Sequence, residues 1–432
     1  MRMSATPHNR AGELALEIYR RTLEECRGDR LVERHVRLDG DVLRIDGLDY
    51  DLRDYDRVIV AGAGKASVAM AQGIEGILGD RISEGLIVTK YGHGDPLAHC
   101  RIVEAGHPVP DDNSLLAGSA MLELAASVTE RDLLVFLLSG GASALMEAPV
   151  EDVSLKDLQE VNEELLASGA TIYAINAIRA RLSKIKGGGL AVAFAKSRNV
   201  VVYLSDVERG LPAVVGSGPF ISSSHSGEVS KALQAVPVEN RFPPHVVRLI
   251  RDNAWARSPG LQPAHAMIGN AQLLREKAGE EARKMGLRCE FLPPLGGEAR
   301  EYPAGVELPK VSKHGGPLCQ IAVGEPVVHK TGTGLGGRAQ EMACAYAGLI
   351  AGRSDLAVLA AGSDGTDGPT DAAGALVDGG TAARALAGGC SAEKSLAEND
   401  SYHFHAAAGT LIKTGPTGTN LNDILIIVRA NS

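Results

Sequence analysis

Short apolar runs alternate with helix-like stretches along the first half of the sequence, and this alternation constrains the fold most strongly. Near-continuous apolar strands are typical of a parallel sheet that helices cover on both faces. An amphipathic helix is predicted at residues 11–26, and a hairpin turn at Asp39-Gly40. We therefore predict a Rossmann-like, doubly wound α/β domain. Its strand-like runs are residues 57–61, 85–90, 101–105, 133–138 and 200–204.

A change of composition interrupts this pattern after the last of these runs. A serine-rich stretch at 222–226 is followed by Pro237, Pro243 and Pro244. The length of 432 residues also exceeds what one hydrophobic core usually serves. We predict a first domain over residues 1–240 and a smaller α/β domain over 241–432. The second half supplies a helix near 271–285, a helix opened by Gly336-Gly337, and apolar runs at 318–323, 356–361 and 424–428.

Charge and hydropathy disfavour some classes of binding partner. Acidic residues outnumber basic residues 53 to 44, a formal charge of -9 that offers no surface for nucleic acid or an anionic membrane. The longest apolar run, 133–138, is far shorter than the roughly 20 residues that a bilayer span requires. No apolar run follows the basic start of the chain, so we expect a cytoplasmic protein. A small molecule or a protein is the expected partner.

The six cysteines give no sign of a metal site or a disulfide framework. They stand far apart without a C-x-x-C spacing, and we expect most of them to be buried thiols. Their positions are Cys26, Cys100, Cys289, Cys319, Cys344 and Cys390.

An acid-rich loop at residues 361–374 follows the apolar run 356–361. It carries Asp364, Asp367 and Asp371 among glycines, at a strand end where α/β proteins usually bind ligands. A pair of Asp-Gly turns that bond their own backbone is the alternative. Three acids in one loop favour a role in binding a metal, transferring a proton or binding a hydroxyl group.

Two glycine-rich loops in the first half each connect a buried strand to a helix. In Gly62-Ala63-Gly64-Lys65 and in Ser139-Gly140-Gly141-Ala142-Ser143, backbone N–H groups and the helix dipole can face an anion, and Lys65 adds a full charge. Neither a P-loop nor a dinucleotide fingerprint fits, because Ile59, Ala66 and Lys90 occupy defining positions. A tight turn with a solvated lysine remains the alternative for the first loop. Ser143 half-resembles a nucleophile elbow, but Leu145 replaces its closing glycine, which disfavours a serine hydrolase.

Further candidates lie at another strand end and at a helix start. Asp206 follows the run 200–204, a position that commonly holds Mg²⁺ through one carboxylate. Arg338 opens a helix, where its guanidinium could fork onto a carboxylate or a phosphoryl oxygen. The segment 176–189 is a cationic helix end before glycines, for which helix capping is an equal alternative. The turn 414–420 could bind nucleotide or be a simple loop.

Eight motifs, in order over nearly the whole chain, resemble the glycerate 2-kinase family, whose C-terminal part is the MOFRL domain. They are Gly62-Ala63-Gly64-Lys65-Ala66, Gly106-His107-Pro108-Val109-Pro110-Asp111, Leu138-Ser139-Gly140-Gly141-Ala142-Ser143, Lys184-Ile185-Lys186-Gly187-Gly188, Ser217-Gly218-Pro219, Gly336-Gly337-Arg338, residues 367–374 and Thr414-Gly415-Pro416-Thr417-Gly418-Thr419-Asn420.

The resemblance implies ATP- and Mg²⁺-dependent phosphorylation of D-glycerate at its 2-hydroxyl, in a cleft between two α/β domains. It places the MOFRL region at about 315–428 and leaves open a return of the last segment to the first domain and a homodimer. Lys65 and Arg338 are then the phosphoryl clamps, and Asp206 holds the metal. Asp364 is the base or a second metal ligand. Substrate or phosphate contacts are expected from Gly62, Gly64, Ser139, Gly140, Gly141, Ser143, His107, Lys186, Thr417 and Asn420.

Four departures from the family pattern bear on the substrate. Ala174, Arg209, Phe220 and Ala339 stand where the family usually has other residues, so a longer or more anionic hydroxy acid, or weakened activity, remains open. Some members carry the name hydroxypyruvate reductase, but the nicotinamide fingerprint fails here at its acid and its third glycine. An NAD(P)H-dependent reductase and a non-catalytic ligand-binding protein are the alternatives.

Overall fold

A computed structural model describes residues 3–168, 170–206, 212–221, 238–251, 263–310 and 316–430. Two compact units divide the chain. The central unit comprises Gly28–Ile268, and the terminal unit comprises Met1–Arg27 with Gly269–Ser432. The serine-rich stretch at 222–226, Pro237 and Arg209 lie outside the described residues.

Helices and strands are numbered here in chain order over the described residues. The helices are α1 (Arg10–Glu25), α2 (Gly28–His35), α3 (Ser67–Leu78), α4 (Asp112–Ser127), α5 (Ala142–Leu145), α6 (Leu155–Ala167), α7 (Ile172–Arg181), α8 (Gly189–Ala193), α9 (Pro244–Arg251), α10 (Ala271–Lys284), α11 (Arg338–Leu349), α12 (Thr381–Ala387), α13 (Ala392–Ala397) and α14 (Ser401–Ala408). The strands are β1 (Val36–Asp39), β2 (Val42–Ile45), β3 (Leu48–Asp51), β4 (Arg57–Ala63), β5 (Ile82–Lys90), β6 (Arg101–Ala105), β7 (Asp132–Leu138), β8 (Arg198–Leu204), β9 (Ala264–Gly269), β10 (Arg288–Phe291), β11 (Leu318–Gly324), β12 (Leu356–Gly362), β13 (Gly374–Asp378), β14 (Leu411–Ile412) and β15 (Asp423–Arg429).

The sheet of the central unit confirms the predicted doubly wound fold. Its order is β6-β5-β4-β7-β8-β9, and the pairs from β6 through β8 are parallel. Every residue of β7 is buried, as expected for a strand covered on both faces. The strand order runs outward from β4 to one side and from β7 to the other. The carboxyl ends of β4 and β7 therefore form the topological switch point where such sheets bind ligands.

A small antiparallel sheet of β1, β2 and β3 precedes these strands. Val36 pairs with Ile45 and Asp39 with Val42, so the Asp39-Gly40 hairpin is confirmed. Gly40 has a φ of 63°, the left-handed conformation that a tight turn requires.

The terminal unit is also α/β, but its sheet is mixed. The order is β10-β11-β15-β12-β13-β14, in which β10 and β11 are parallel and the other pairs are antiparallel. The strand β15 lies between β11 and β12, and all its residues are buried. Helix α1 belongs to this unit, where the buried Tyr19 hydroxyl donates a 2.6 Å hydrogen bond to the Gly362 carbonyl.

The remaining fold expectations concern cysteines and membranes. All six cysteines are free thiols, four of them buried. No helix in the described part of the chain is long and apolar enough to cross a bilayer.

Two glycines one turn apart on α3 provide a matched test of the packing. A Cβ atom on Gly73 would lie 2.9 Å from the Asp29 carbonyl oxygen and 2.9 Å from Val32 Cβ, whereas one on Gly76 would meet nothing within 4 Å. We expect Gly73→Ala to lower the free energy of unfolding by about 1–3 kcal/mol through overpacking against α2. Gly76→Ala should raise it by about 0.5–1 kcal/mol, because alanine is the better helix former. Equal effects in denaturant unfolding would contradict this packing.

Candidate active site

The two glycine-rich loops of the central unit lie side by side at the switch point. Lys65 N donates to the Gly140 carbonyl at 3.0 Å, and Ser139 N donates to the Ala63 carbonyl at 3.1 Å. The Ser139 hydroxyl accepts from Ala66 N at 3.0 Å. Gly64 has a φ of 136°, and a Cβ atom there would overlap the Ser139 side chain. The motifs at Gly62 and at Ser139 thus form one backbone-lined surface.

Lys65 and His107 both border Gly141. A Cβ atom on Gly141 would lie 3.1 Å from Lys65 Cγ and 3.2 Å from His107 Cδ2, and its φ of 90° also favours glycine. Gly141 is the N-cap residue of α5, a single turn of helix. The geometry brings the predicted cation, a histidine and two glycine loops together at one sheet edge.

A chain of polar side chains joins three of the sequence motifs. The Ser143 and Ser217 hydroxyls lie 2.8 Å apart, and the Ser217 hydroxyl donates to Asn176 Oδ1 at 2.8 Å. Ser143 therefore contacts another hydroxyl, whereas a serine nucleophile requires a general base. The arrangement suits hydrogen bonding to a polar ligand.

Lys186 lies deeper, in an ion pair that the sequence did not indicate. Its ammonium group pairs with the Glu147 carboxylate, and both side chains are buried. Ser183 Oγ donates to Glu147 Oε1 at 2.5 Å. Burial lowers the pKa of Lys186, and the Glu147 charge opposes that effect. The role of Lys186 as an anion ligand stays a prediction.

Asp206 follows β8 after Ser205. It lies at the same sheet edge as the glycine loops, because the carboxyl ends of parallel strands meet there. Its side chain is half-buried. Within the described ranges, no group of three His, Cys, Asp or Glu side chains could hold a metal ion. Mg²⁺ is commonly bound by one or two carboxylates together with water and substrate phosphates, so a single aspartate suffices for it.

In the terminal unit, the ends of β11 and β12 meet the start of β15. Asp423 opens β15 and pairs with Gly324 on one side and Gly362 on the other. Glu325 and Asp364 follow those two glycines. Three carboxylates therefore gather at this sheet edge because β15 is antiparallel to both neighbours.

Arg338, the first residue of α11, is held by two of these acids. Its Nε donates to Asp423 Oδ2 at 2.5 Å, and its Nη2 lies 3.4 Å from Asp423 Oδ1. Its Nη1 donates to Glu325 Oε1 at 2.6 Å. The Arg338 side chain is 35% exposed, whereas Asp423 is 7% exposed and Glu325 is 53% exposed.

The Asp367 side chain caps the N-terminus of the same helix. Its carboxylate accepts hydrogen bonds from Ala339 N at 3.1 Å and from Gln340 N at 2.8 Å, the backbone groups that a helix start leaves unsatisfied. Burial, and next the charge of Asp423, raise the pKa of Asp367 to about 7. Burial also raises the pKa of Asp423.

The other two acids of the loop differ in burial. Asp364 is 7% exposed, and its Oδ1 accepts from Thr366 N at 2.9 Å, which is an Asx turn. Asp371 is exposed and pairs with Lys413 at 2.7 Å. Because Asp364 is also placed at the strand end, it remains the stronger catalytic candidate of the two.

The turn 414–420 packs against this acid-rich loop. Thr417 Oγ1 donates to the Ser363 carbonyl at 2.6 Å, and Leu421 N donates to Ser363 Oγ at 2.8 Å. Thr417 and Asn420 are both buried. The predicted contacts Thr417 and Asn420 therefore lie in the same unit as Asp364.

The departures from the family pattern fall in different environments. Phe220 is buried in the core, with its ring centroid 4.6 Å from that of Phe136. Ala174 and Ala339 are also buried. Their consequence for the substrate stays a prediction, and Arg209 lies outside the described residues.

Two protein-family models and two solved structures match this chain. A domain of unknown function, DUF4147, matches residues 14–251, and the MOFRL family matches residues 318–423. The crystal structure of the glycerate kinase of Thermotoga maritima superposes with a TM-score of 0.77 at 36% identity, over 97% of this chain and 99% of that one. A protein of Pyrococcus horikoshii gives a TM-score of 0.74 at 31% identity, over 97% and 98% of the two chains.

Curated relatives give the family its name. The D-glycerate 2-kinase of Thermotoga maritima is 38% identical over 96% of this chain and 97% of its own length. The human glycerate kinase is 31% identical over 91% of this chain and 88% of its own. A relative in Agrobacterium vitis, 36% identical over 87% of this chain, carries a provisional hydroxypyruvate reductase name. The chain belongs to the glycerate 2-kinase family.

The raised pKa of Asp367 predicts a pH dependence of stability. The folded protein holds the Asp367 proton more tightly than the unfolded chain, in which the pKa of this carboxyl is near 3.8. The free energy of unfolding therefore falls as pH rises from 3.8 through about 7. Asp367→Asn removes the titration. Its melting temperature relative to wild type should therefore rise between about pH 5 and about pH 8. A difference independent of pH would contradict the raised pKa, and Asp371→Asn provides the exposed control.

Proposed function

We infer that this protein transfers the γ-phosphoryl group of ATP to the 2-hydroxyl of D-glycerate, giving 2-phosphoglycerate and ADP. The observation that carries this inference is the near full-length similarity to enzymes named D-glycerate 2-kinase and glycerate kinase. Lys65 and the adjacent Ser139-Gly140-Gly141 loop at the switch point support it, because a cation beside backbone N–H groups at a helix start suits an anionic ligand.

In the central unit, the proposed role is to hold phosphates. Backbone N–H groups at Gly140 and Gly141 would face phosphate oxygens, as at other loops that lead into a helix. Gly62 and Gly64 would contribute by letting Leu137 and Ser139 approach closely, because the Gly64 N–H already donates to the Val88 carbonyl at 3.1 Å. Lys65 would neutralise charge on the transferred group. His107 beside Gly141 and the Ser143 hydroxyl would add hydrogen bonds to phosphate or substrate. The buried Ser139 hydroxyl accepts from Ala66 N and would act by holding the first loop in place.

Mg²⁺ is proposed as the metal, with Asp206 as its first protein ligand. The carboxylate at the end of β8 fits the hard oxygen ligands that Mg²⁺ prefers, and Asp364 is the candidate for a second ligand. When bound, the ion would neutralise charge on ATP phosphates. Asp206 would fix its place at the sheet edge.

In the terminal unit, Arg338 is the proposed second clamp on the transferred group, and Asp364 the proposed base for the substrate hydroxyl. Phosphoryl transfer passes through a loose transition state, so positioning and charge stabilisation supply most of the acceleration. Thr417 and Asn420 are proposed as substrate contacts, and Lys186 as a further anion ligand. A longer or more anionic hydroxy acid in place of D-glycerate is the alternative substrate, because of the family departures.

The direct test is incubation with ATP, Mg²⁺ and D-glycerate, coupled to enolase with phosphoglycerate mutase left out. Enolase converts 2-phosphoglycerate alone, so immediate phosphoenolpyruvate is expected. ADP without phosphoenolpyruvate would indicate another position or substrate. Oxidation of NAD(P)H by hydroxypyruvate without ATP would instead support the reductase, and binding without turnover a ligand-binding protein.

Removing either proposed clamp should lower kcat. Lys65→Ala or Arg338→Ala should each cost roughly 10² to 10⁴ in turnover, in line with the loss of a transition-state interaction. Lys156→Ala, an exposed lysine in a 3.6 Å i,i+4 pair with Glu160, is the control and should be unaffected. Near-normal turnover in both clamp variants would contradict their role.

The two acids Asp364 and Asp371 can be separated within one loop. Asp364→Asn should lower kcat at least tenfold, because an amide cannot accept the hydroxyl proton. Asp371→Asn breaks an exposed pair with Lys413 and should change kcat little. Equal, near-normal rates in the enolase-coupled assay would return Asp364 to the role of a turn-forming residue.

A further inference from the structure

Arg338 occupies a helix position that disfavours a cation. It is the first residue of α11, and the N-terminal end of a helix carries a partial positive charge. Two buried carboxylates compensate, Asp367 for the backbone N–H groups and Asp423 for the guanidinium. Violations of local preference with dedicated compensation tend to occur at functional sites.

The ion pairs with Asp423 and Glu325 leave the Arg338 guanidinium with N–H groups on its terminal nitrogens that these two acids do not use. Asp423 accepts from Nε at 2.5 Å and lies 3.4 Å from Nη2, while Glu325 accepts from Nη1 at 2.6 Å. Each terminal nitrogen carries two N–H bonds and is used once in these pairs. Among the described residues, Arg338 therefore retains donor capacity for a phosphoryl oxygen.

Asp423 lies within the sheet and is buried, whereas Glu325 is exposed. The Asp423 backbone pairs with Gly324 and Gly362 inside the sheet, and its side chain is 7% exposed. Glu325 follows the strand end and is 53% exposed. A ligand-orienting contact is more exact on a rigid, buried element than on an exposed one.

We propose that Asp423 is a positioning residue for phosphoryl transfer: its buried carboxylate fixes the guanidinium of Arg338 in the orientation that meets the transferred group. This role rests on the proposed kinase function. Because Asp423 acts through Arg338, it should affect the transition state more than the binding of either substrate.

The first test is Asp423→Asn in the enolase-coupled assay. The amide keeps one acceptor oxygen and loses the charge, so kcat should fall about 10- to 100-fold with KM values for ATP and D-glycerate within about twofold. Asp378→Asn is the matched control. Asp378 is a buried carboxylate of the same unit that accepts from Arg384 Nη1 at 3.1 Å and Nη2 at 3.0 Å. The Asp378→Asn variant should lower the melting temperature about as much as Asp423→Asn does and leave kcat unchanged.

A double-mutant cycle and chemical rescue separate positioning from a general structural role. In an Arg338→Ala background, Asp423→Asn should cause no further loss of kcat, because its effect passes through the absent guanidinium. Guanidinium ion at a sub-denaturing concentration should restore part of the Arg338→Ala rate when Asp423 is present. It should restore none in the double variant.

The outcomes distinguish the two proposals. An active wild type whose Asp423→Asn variant keeps its kcat, or loses as much again in the Arg338→Ala background, overturns the positioning role alone. A fall of kcat in Asp378→Asn equal to that in Asp423→Asn also overturns it. A wild type that makes no 2-phosphoglycerate overturns both the kinase function and this role.

Discussion

Parallel pairing of β4 with β7 is the constraint on which the central unit depends. The register runs residue for residue from Arg57 with Asp132 to Ala63 with Leu138, so both strands end at the same level. The loops that follow the two strands are therefore close enough for backbone hydrogen bonds between them. One of these bonds joins Lys65 N to the Gly140 carbonyl at 3.0 Å. Glycine at 64 and 141 is needed because each has a positive φ and a crowded Cβ position.

The terminal unit reaches a comparable result with antiparallel strands. Because β15 runs opposite to β11 and β12, its first residue lies beside their last residues. This places Asp423 among Glu325, Asp364 and the guanidinium of Arg338. Burying several carboxylates near one cation raises the pKa of Asp367 and of Asp423 through desolvation. A fold selected for stability alone would favour apolar residues at such positions.

The sequence predicted β4 to β8 of the central sheet because a parallel sheet buried on both faces leaves near-continuous apolar runs such as 133–138. The strand β9 (Ala264–Gly269) of the same sheet was not predicted. The sequence also predicted that Lys65 lies in a glycine loop, Asp206 after a strand and Arg338 at a helix start, since such places have local signals. Their roles stay predictions. Asp423 was missed because an acid before an apolar run marks a strand start, which joins a site only if the strand is antiparallel. Glu147 was missed because its partner Lys186 is 39 positions away and no local pattern links them.

The carbon that carries the transferred phosphoryl group distinguishes phosphorylation at the 2-hydroxyl from phosphorylation at the 3-hydroxyl. A ³¹P NMR spectrum of the wild-type reaction with ATP, Mg²⁺ and D-glycerate shows how many carbon-bound protons couple to the ester phosphorus. We expect a doublet, from the single proton on C2 of 2-phosphoglycerate. A triplet from the two protons on C3 would contradict it, as would a spectrum in which ATP is unchanged.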